Sequence, residues 1–151
     1  GQNPVSRVNV APSIAAPAEP SLHAFSYCAP RIAATSAGLS FVISGIADVG
    51  TNGVISRGDT SVTGMRARLA FLITRVDEQL GRLGVGWQHV TQCDLYAAHD
   101  VQTLAQNMLL PRLGAAAMQG LRWYSARPPV ADTECELDVR AVFRELVLDL
   151  S

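Results

Sequence analysis

Charge is scarce in this chain, and so is cysteine. Charged residues make up 17% and the net charge is −1, so the basic excess of a general nucleic-acid surface is missing. The three cysteines, Cys28, Cys93 and Cys135, are an odd number with no C-x-x-C spacing. That argues against a disulfide framework and for a reduced, cytoplasmic setting. The cysteines lie far apart, and His23, His89 and His99 include no pair at i, i+4. No metal-ligand cluster results, and no metal or other cofactor is expected. No apolar run approaches the roughly 20 residues of a membrane span. No basic segment followed by an apolar core opens the chain, so no secretory signal is expected. Repeats of solenoid length are absent.

What is present is a globular profile, 151 residues with 48% hydrophobic, long enough to bury roughly two-thirds of the surface its unfolded form exposes. Residues 1–22 carry Pro4, Pro12, Pro17 and Pro20 and read as an extended arm, since proline removes amide donors. Residues 23–151 read as one domain.

The stretch 65–97 organises that domain. Met65, Leu69, Leu72, Ile73, Val76 and Leu80 form one apolar stripe at helical period. Arg66, Arg68, Arg75, Asp77, Glu78 and Arg82 take the opposite face, with Glu78 and Arg82 spaced for an i, i+4 ion pair. Gly81, Gly84 and Gly86 end the helix. They follow a helix and precede a strand, the reverse of a phosphate-cradling loop. Residues 90–97 alternate as a strand, with Thr91, Cys93, Leu95 and Ala97 on one face and Gln92, Asp94 and Tyr96 on the other.

Upstream, 32–37 and 39–44 read as a hairpin turning at Ser36-Ala37-Gly38 and closed by Gly45, followed by a polar loop over 47–60. Downstream, 101–117 reads as a helix with Asp100 as N-cap and a kink at Pro111. Strands follow at 121–126 and 134–143, separated by Pro128-Pro129. In the last strand Cys135, Leu137, Val139 and Ala141 share one face, and Glu136, Asp138 and Arg140 the other. The order predicts an α+β domain, a mixed sheet backed by two helices. The uncovered sheet face, read as carrying Phe41, Ile43 and Leu95, needs a partner, which favours assembly.

These landmarks resemble the RidA family of small chorismate-mutase-like proteins. The match runs over residues 29–142. It rests on Ala29-Pro30, Gly38, Val42-Ile43-Ser44-Gly45, Asn52-Gly53, Arg66 with Leu69, Asn107, Leu121-Arg122 and Cys135-Glu136-Leu137-Asp138. The resemblance implies a homotrimer with ligand sites in the clefts between subunits. It also implies hydrolytic deamination of a 2-imino acid or its enamine, releasing ammonia and a 2-oxo acid. On the matching positions, Arg122 holds the substrate carboxylate and Glu136 helps water add to the C=N carbon. A guanidinium forks onto a carboxylate and stays charged, and imine hydrolysis needs a proton donor and a group that positions water.

The departures fall in the same pocket. Arg31 stands where many members have tyrosine, Gly120-Leu121-Arg122 replaces Pro-Ala-Arg, and Tyr124 replaces a cysteine. Two arginines suit a dicarboxylate or larger acid, with Arg31 and Tyr124 tuning charge and size. Arg127 rivals Arg122 as the carboxylate anchor, and Asn107 either meets ligand or hydrogen-bonds backbone. Each has a plainer reading: Arg122 as a surface arginine, Glu136 paired across strands, Arg31 at a subunit interface. His99-Asp100 lacks a third partner for a catalytic dyad. The alternative function is a non-catalytic trimer binding a small carboxylate metabolite. A ribonuclease role, attached to some members by name, is opposed by the charge balance. The expected partner is a small-molecule carboxylate, with neither nucleic acid nor membrane.

Overall fold

The structure is a computed structural model that describes residues 5–7, 11–19, 25–27 and 39–142. Arg31, the expected strand over 32–37 and its turn at Gly38 lie outside the described residues. Among the described residues ten strands and three α-helices follow in order. Three come early: β1 (Val5–Arg7), β2 (Ala11–Pro12) and β3 (Phe25–Tyr27). Then come β4 (Phe41–Ala47), β5 (Val49–Gly50) and β6 (Gly53–Val54). Helix α1 (Val62–Arg82) leads to β7 (Gln92–Ala97), α2 (Gln102–Met108) and α3 (Leu110–Leu113). The chain continues through β8 (Arg122–Tyr124), β9 (Ala126–Arg127) and β10 (Cys135–Ala141).

The main sheet has the order β4-β10-β7-β8. Strand β10 is antiparallel to both β4 and β7, while β7 and β8 are parallel. The sheet is therefore mixed, and the parallel pair is joined by a helical crossover, as parallel neighbours require. Outside it, β1 pairs with β3 and β2 with β9.

Helix α1 forms because its apolar stripe meets this sheet. Met65, Leu69, Leu72, Ile73, Val76 and Leu80 are all buried and pack in one core with Leu95, Leu137 and Val139. The Ser61 side chain caps the N-terminus by accepting from the Gly64 amide. At the other end Gly84, with φ +68°, donates to the Gly81 carbonyl, and the Val85 amide donates to Leu80. That paired arrangement is a Schellman cap, which needs glycine at the left-handed position.

Several expectations require correction. Phe41, Ile43 and Leu95 sit in the helix-packed core, so the far face is not apolar and they supply no motive for assembly. Gly45 does not close its strand. It adopts φ +77° as an extra residue, so that Val139 pairs with Ile43 but Leu137 with Ile46. This bulge re-phases β4, keeping Phe41, Ile43 and Ile46 all toward the core. The expected loop over 47–60 contains the β5–β6 pairing.

The helix expected over 101–117 is three pieces, because a proline ring at 111 clashes with the carbonyl four residues back. Helix α2 stops at Met108, Pro111 sits in the first positions of the single turn of α3, and Gly114 at φ +55° opens a 3₁₀ segment, Gly114–Gln119. Val101 and not Asp100 is the N-cap residue, and Asp100 lies one position earlier, its Oδ1 accepting from the Gln102 amide. The strand expected over 121–126 is divided between β8 and β9. Glu78 pairs with Arg75 at 2.5 Å and not with Arg82.

Arg68 is not on the solvent face. It is fully buried and ion-paired with Asp48, itself fully buried. Its Nη2 donates to the Ser56 carbonyl, and Asp48 also accepts from the Glu134 amide. The pair ties α1 to the β5–β6 segment and to the start of β10. No helix among the described residues is long and apolar enough to cross a membrane.

Candidate active site

Period-two alternation puts the apolar residues of β7 and β10 against the helices and their polar residues on the other face. The pairing register then stacks those polar residues in rows. Glu136 lies opposite Tyr96, and Tyr96 opposite Tyr124. One row along, Asp138 lies opposite Asp94, and Asp94 opposite Arg122. Arg140 and Gln92 form the next row.

The face has two halves. The acid half is in mid-sheet, where Asp94, Glu136 and Asp138 are all at most 5% exposed. Asp94 accepts two bonds of 2.9 Å from Gln92 Nε2 and meets Arg140 at 3.4 Å. Asp138 accepts from the Gly45 amide at 2.8 Å, a donor that the bulge aims at it. Burial pushes Asp138 up to about 6, countered by the Gly45 amide and reinforced by the charge of Asp94. Glu136 differs from both. Among the described residues its carboxyl has neither hydrogen bond nor ion pair, and the only sealed side-chain polar atom lacking a partner is Arg68 Nε. The Glu136 oxygens therefore keep contact with solvent. Burial first, and then the charge of Asp138, push Glu136 up to about 7. Such a group gives and takes protons near neutral pH.

The binding half lies at the sheet edge. Arg122 and Tyr124 are exposed on β8 and, two residues apart, share a face. Arg122 makes no ion pair among the described residues, not even with Asp94 beside it. Tyr124 stacks on Tyr96 with ring centroids 4.9 Å apart and planes 15° from parallel. Burial, then Asp138, raise the Tyr96 phenol well above its usual range, so it stays protonated. A cleft of about 270 Å³ beside this edge is lined by Pro12, Ile14, Trp123, Tyr124, Ser125 and Ala126.

The structure thus brings Arg122, Tyr124 and Glu136 to one face. Two strands and two residues separate Arg122 from Glu136, roughly 12 Å between Cα atoms at standard sheet spacings. Arg127 is elsewhere engaged: its Nη1 meets Glu134 Oε2 at 2.7 Å, and His99 Nε2 meets the same oxygen at 3.1 Å. His99 therefore partners Glu134 and not Asp100. Asn107 lies exposed on α2, a helix packed against the opposite face of the sheet. Sequence reading placed Asp138 on the face of Glu136 but missed Asp94 and Tyr96 as its cross-strand neighbours. The signal was there in Gln92-x-Asp94-x-Tyr96 and Glu136-x-Asp138-x-Arg140, two polar stripes that only pairing could join. The buried thiols of Cys93 and Cys135, both pushed up to about 12 mainly by burial, face the core and are inert.

With this geometry in view, comparison with known proteins is decisive for the family. The family model described as 2-aminomuconate deaminase CnbZ matches residues 1–146. The chain belongs to that family. A curated relative, 2-amino-5-chloromuconate deaminase of Comamonas testosteroni, is 37% identical over 152 residues. The alignment covers 97% of this chain and 59% of the relative, so the chain spans under two-thirds of that protein's length. Among solved structures, a crystal structure of YyfB from Yersinia pestis, a protein of unknown function of the conserved Rid family, aligns with a TM-score of 0.50. It is 15% identical, with 92% of this chain and 98% of that one covered. The fold is therefore of the Rid type, in agreement with the RidA resemblance.

Proposed function

We propose that the chain is a hydrolytic deaminase acting on the imine or enamine of an unsaturated 2-amino dicarboxylate. The observation that carries this is Glu136, a buried carboxyl with no partner among the described residues, on the same sheet face as the unpaired cation Arg122. The names of the family and of the relative, both muconate deaminases, support the substrate class.

The enamine takes a proton from solvent on carbon to become an iminium. Arg122 forks onto a substrate carboxylate. The Glu136 carboxylate accepts a proton as water adds to C2, forming a tetrahedral carbinolamine. It returns that proton to nitrogen. As the C–N bond breaks, the carbinolamine hydroxyl gives its own proton to the Glu136 carboxylate, which passes it to solvent, so that ammonia leaves a 2-oxo dicarboxylate. All 12 basic residues are arginines, so this chain offers no lysine for a Schiff base, and direct attack of water fits it. Tyr124 bounds the site, and Arg31 is proposed as the second cation for a dicarboxylate. Arg127 takes a lesser part once released from Glu134, and Asn107, on the opposite face of its own sheet, takes none within its own subunit.

We further propose a cytoplasmic homotrimer in which the binding half of one subunit meets the acid half of its neighbour. Arg122 is exposed and makes no ion pair with Asp94 beside it, and β8 is the edge strand of the main sheet, open to a partner. The reading is tested by adding purified protein to a freshly generated 2-aminomuconate and following ammonia release with loss of the diene absorbance. Stoichiometric release well above buffer is expected. Release equal to buffer would sink the proposal.

A further inference from the structure

The exposed tyrosine at the edge is the feature the hydrolytic chemistry leaves unused. Tyr124 is 41% exposed although one ring face lies on Tyr96, which is 8% exposed. In a stacked pair the covered faces are the inner ones, so the exposure belongs to the outer face of Tyr124. That face looks past β8, the last strand of the sheet, into the cleft lined by Trp123, Ser125, Ala126, Pro12 and Ile14. At about 270 Å³ the cleft lies just under the usual range for small-molecule pockets. Arg122 stands one strand repeat away on the same side, roughly 7 Å along the backbone. A flat anion gripped by Arg122 is thereby laid alongside an aromatic ring.

We propose that the outer face of Tyr124, held in orientation by Tyr96, is a stacking platform that selects planar, conjugated dicarboxylates over saturated ones of equal length. A conjugated diacid lies flat and offers a π-face to the ring. A saturated chain is puckered and makes fewer contacts. Tyr124 is the specificity-determining residue and Tyr96 a positioning residue that fixes its ring plane. The proposal rests on the deaminase reading for its substrate class, but it concerns binding and is tested without turnover.

The test is titration calorimetry of the intact chain with two probes, trans,trans-hexa-2,4-dienedioate and hexanedioate. Wild type should bind the dienedioate more tightly. That preference should shrink about two- to tenfold in Tyr124→Leu, the range expected for loss of one aromatic contact. It should survive in Tyr124→Phe. Tyr96→Leu should also reduce it and Tyr96→Phe restore it, while hexanedioate affinity changes little throughout. Equal affinities in wild type, or a preference intact in Tyr124→Leu, would overturn the platform. So would a parallel loss of both ligands in Tyr124→Leu, which marks a merely structural role. Clear preference in a protein that releases no ammonia would retain the platform and reject the deaminase reading.

Discussion

At the scale of single residues, Glu136 stands out because folding desolvates it and gives it no partner among the described residues in return. Its carboxyl is pushed to about 7 and that of Asp138 to about 6, from 4.5 and 3.8. Both folded values are raised, so between roughly pH 4 and 7 the native state binds more protons than the unfolded state, and stability falls as pH rises. Melting temperature should therefore increase from pH 7.5 to about 5, opposite to the trend for carboxylates stabilised by ion pairs. Glu136→Gln should stabilise the protein at pH 7.5 by on the order of 1–2 kcal/mol once solvent screening is allowed for, readable in urea melts. In the wild type, kcat/KM should rise with pH through an inflection near 7, because the carboxylate form accepts the proton from water. That inflection should vanish in Glu136→Gln. Arg122→Ala should lower kcat/KM about 10- to 100-fold, the worth of a charge-assisted bond to carboxylate, whereas Arg127→Ala, already occupied by Glu134, should have a smaller effect. The candidates Arg122, Tyr124 and Glu136 came from their register in the RidA resemblance, and strand alternation put Arg122 and Tyr124 on one face. Arg68 was misread. It lies three residues after Met65 and four before Leu72, a buried position, but its partner Asp48 is 20 residues away and no local pattern links them.

At the scale of elements, local chemistry decided more than periodicity did. The stripe and the glycines of α1 made that helix readable at both ends. The second helix was overcalled because a run rich in alanine and leucine hides what Pro111 and Gly114 do to the backbone. The Gly45 bulge was equally hidden, since a glycine after a β-rich run looks like a stop until the pairing partner is known. This bulge links fold to site: it keeps β4 in phase with the core and directs an amide at Asp138. Gly45→Ala should cost about 1–2 kcal/mol, the penalty of a Cβ at positive φ, and should perturb the pH profile through Asp138. Asp48→Asn leaves Arg68 charged in the interior and should destabilise by about 3–5 kcal/mol. Replacing both partners with apolar residues should recover much of that loss in the same denaturation assay.

At the scale of the whole molecule, one chain presents an acid half and a binding half on the same sheet face, roughly 12 Å apart, and the proposed homotrimer brings the binding half of one subunit to the acid half of the next. Size exclusion with light scattering should give three times the chain mass. Of the two grounds for assembly read from the sequence, the RidA resemblance and an apolar sheet face, the second does not hold, since Phe41, Ile43 and Leu95 are already covered by helices. A better structural ground is the exposed edge carrying Arg122 and Tyr124. The most direct test of a shared site is subunit mixing of two inactive variants, Arg122→Ala and Glu136→Gln. After exchange, a cleft that takes its arginine from one subunit and its glutamate from the next is intact in about a quarter of cases. The mixture should therefore regain about a quarter of wild-type ammonia release. A mixture as inactive as its two components would place both residues in one subunit's site and contradict the account.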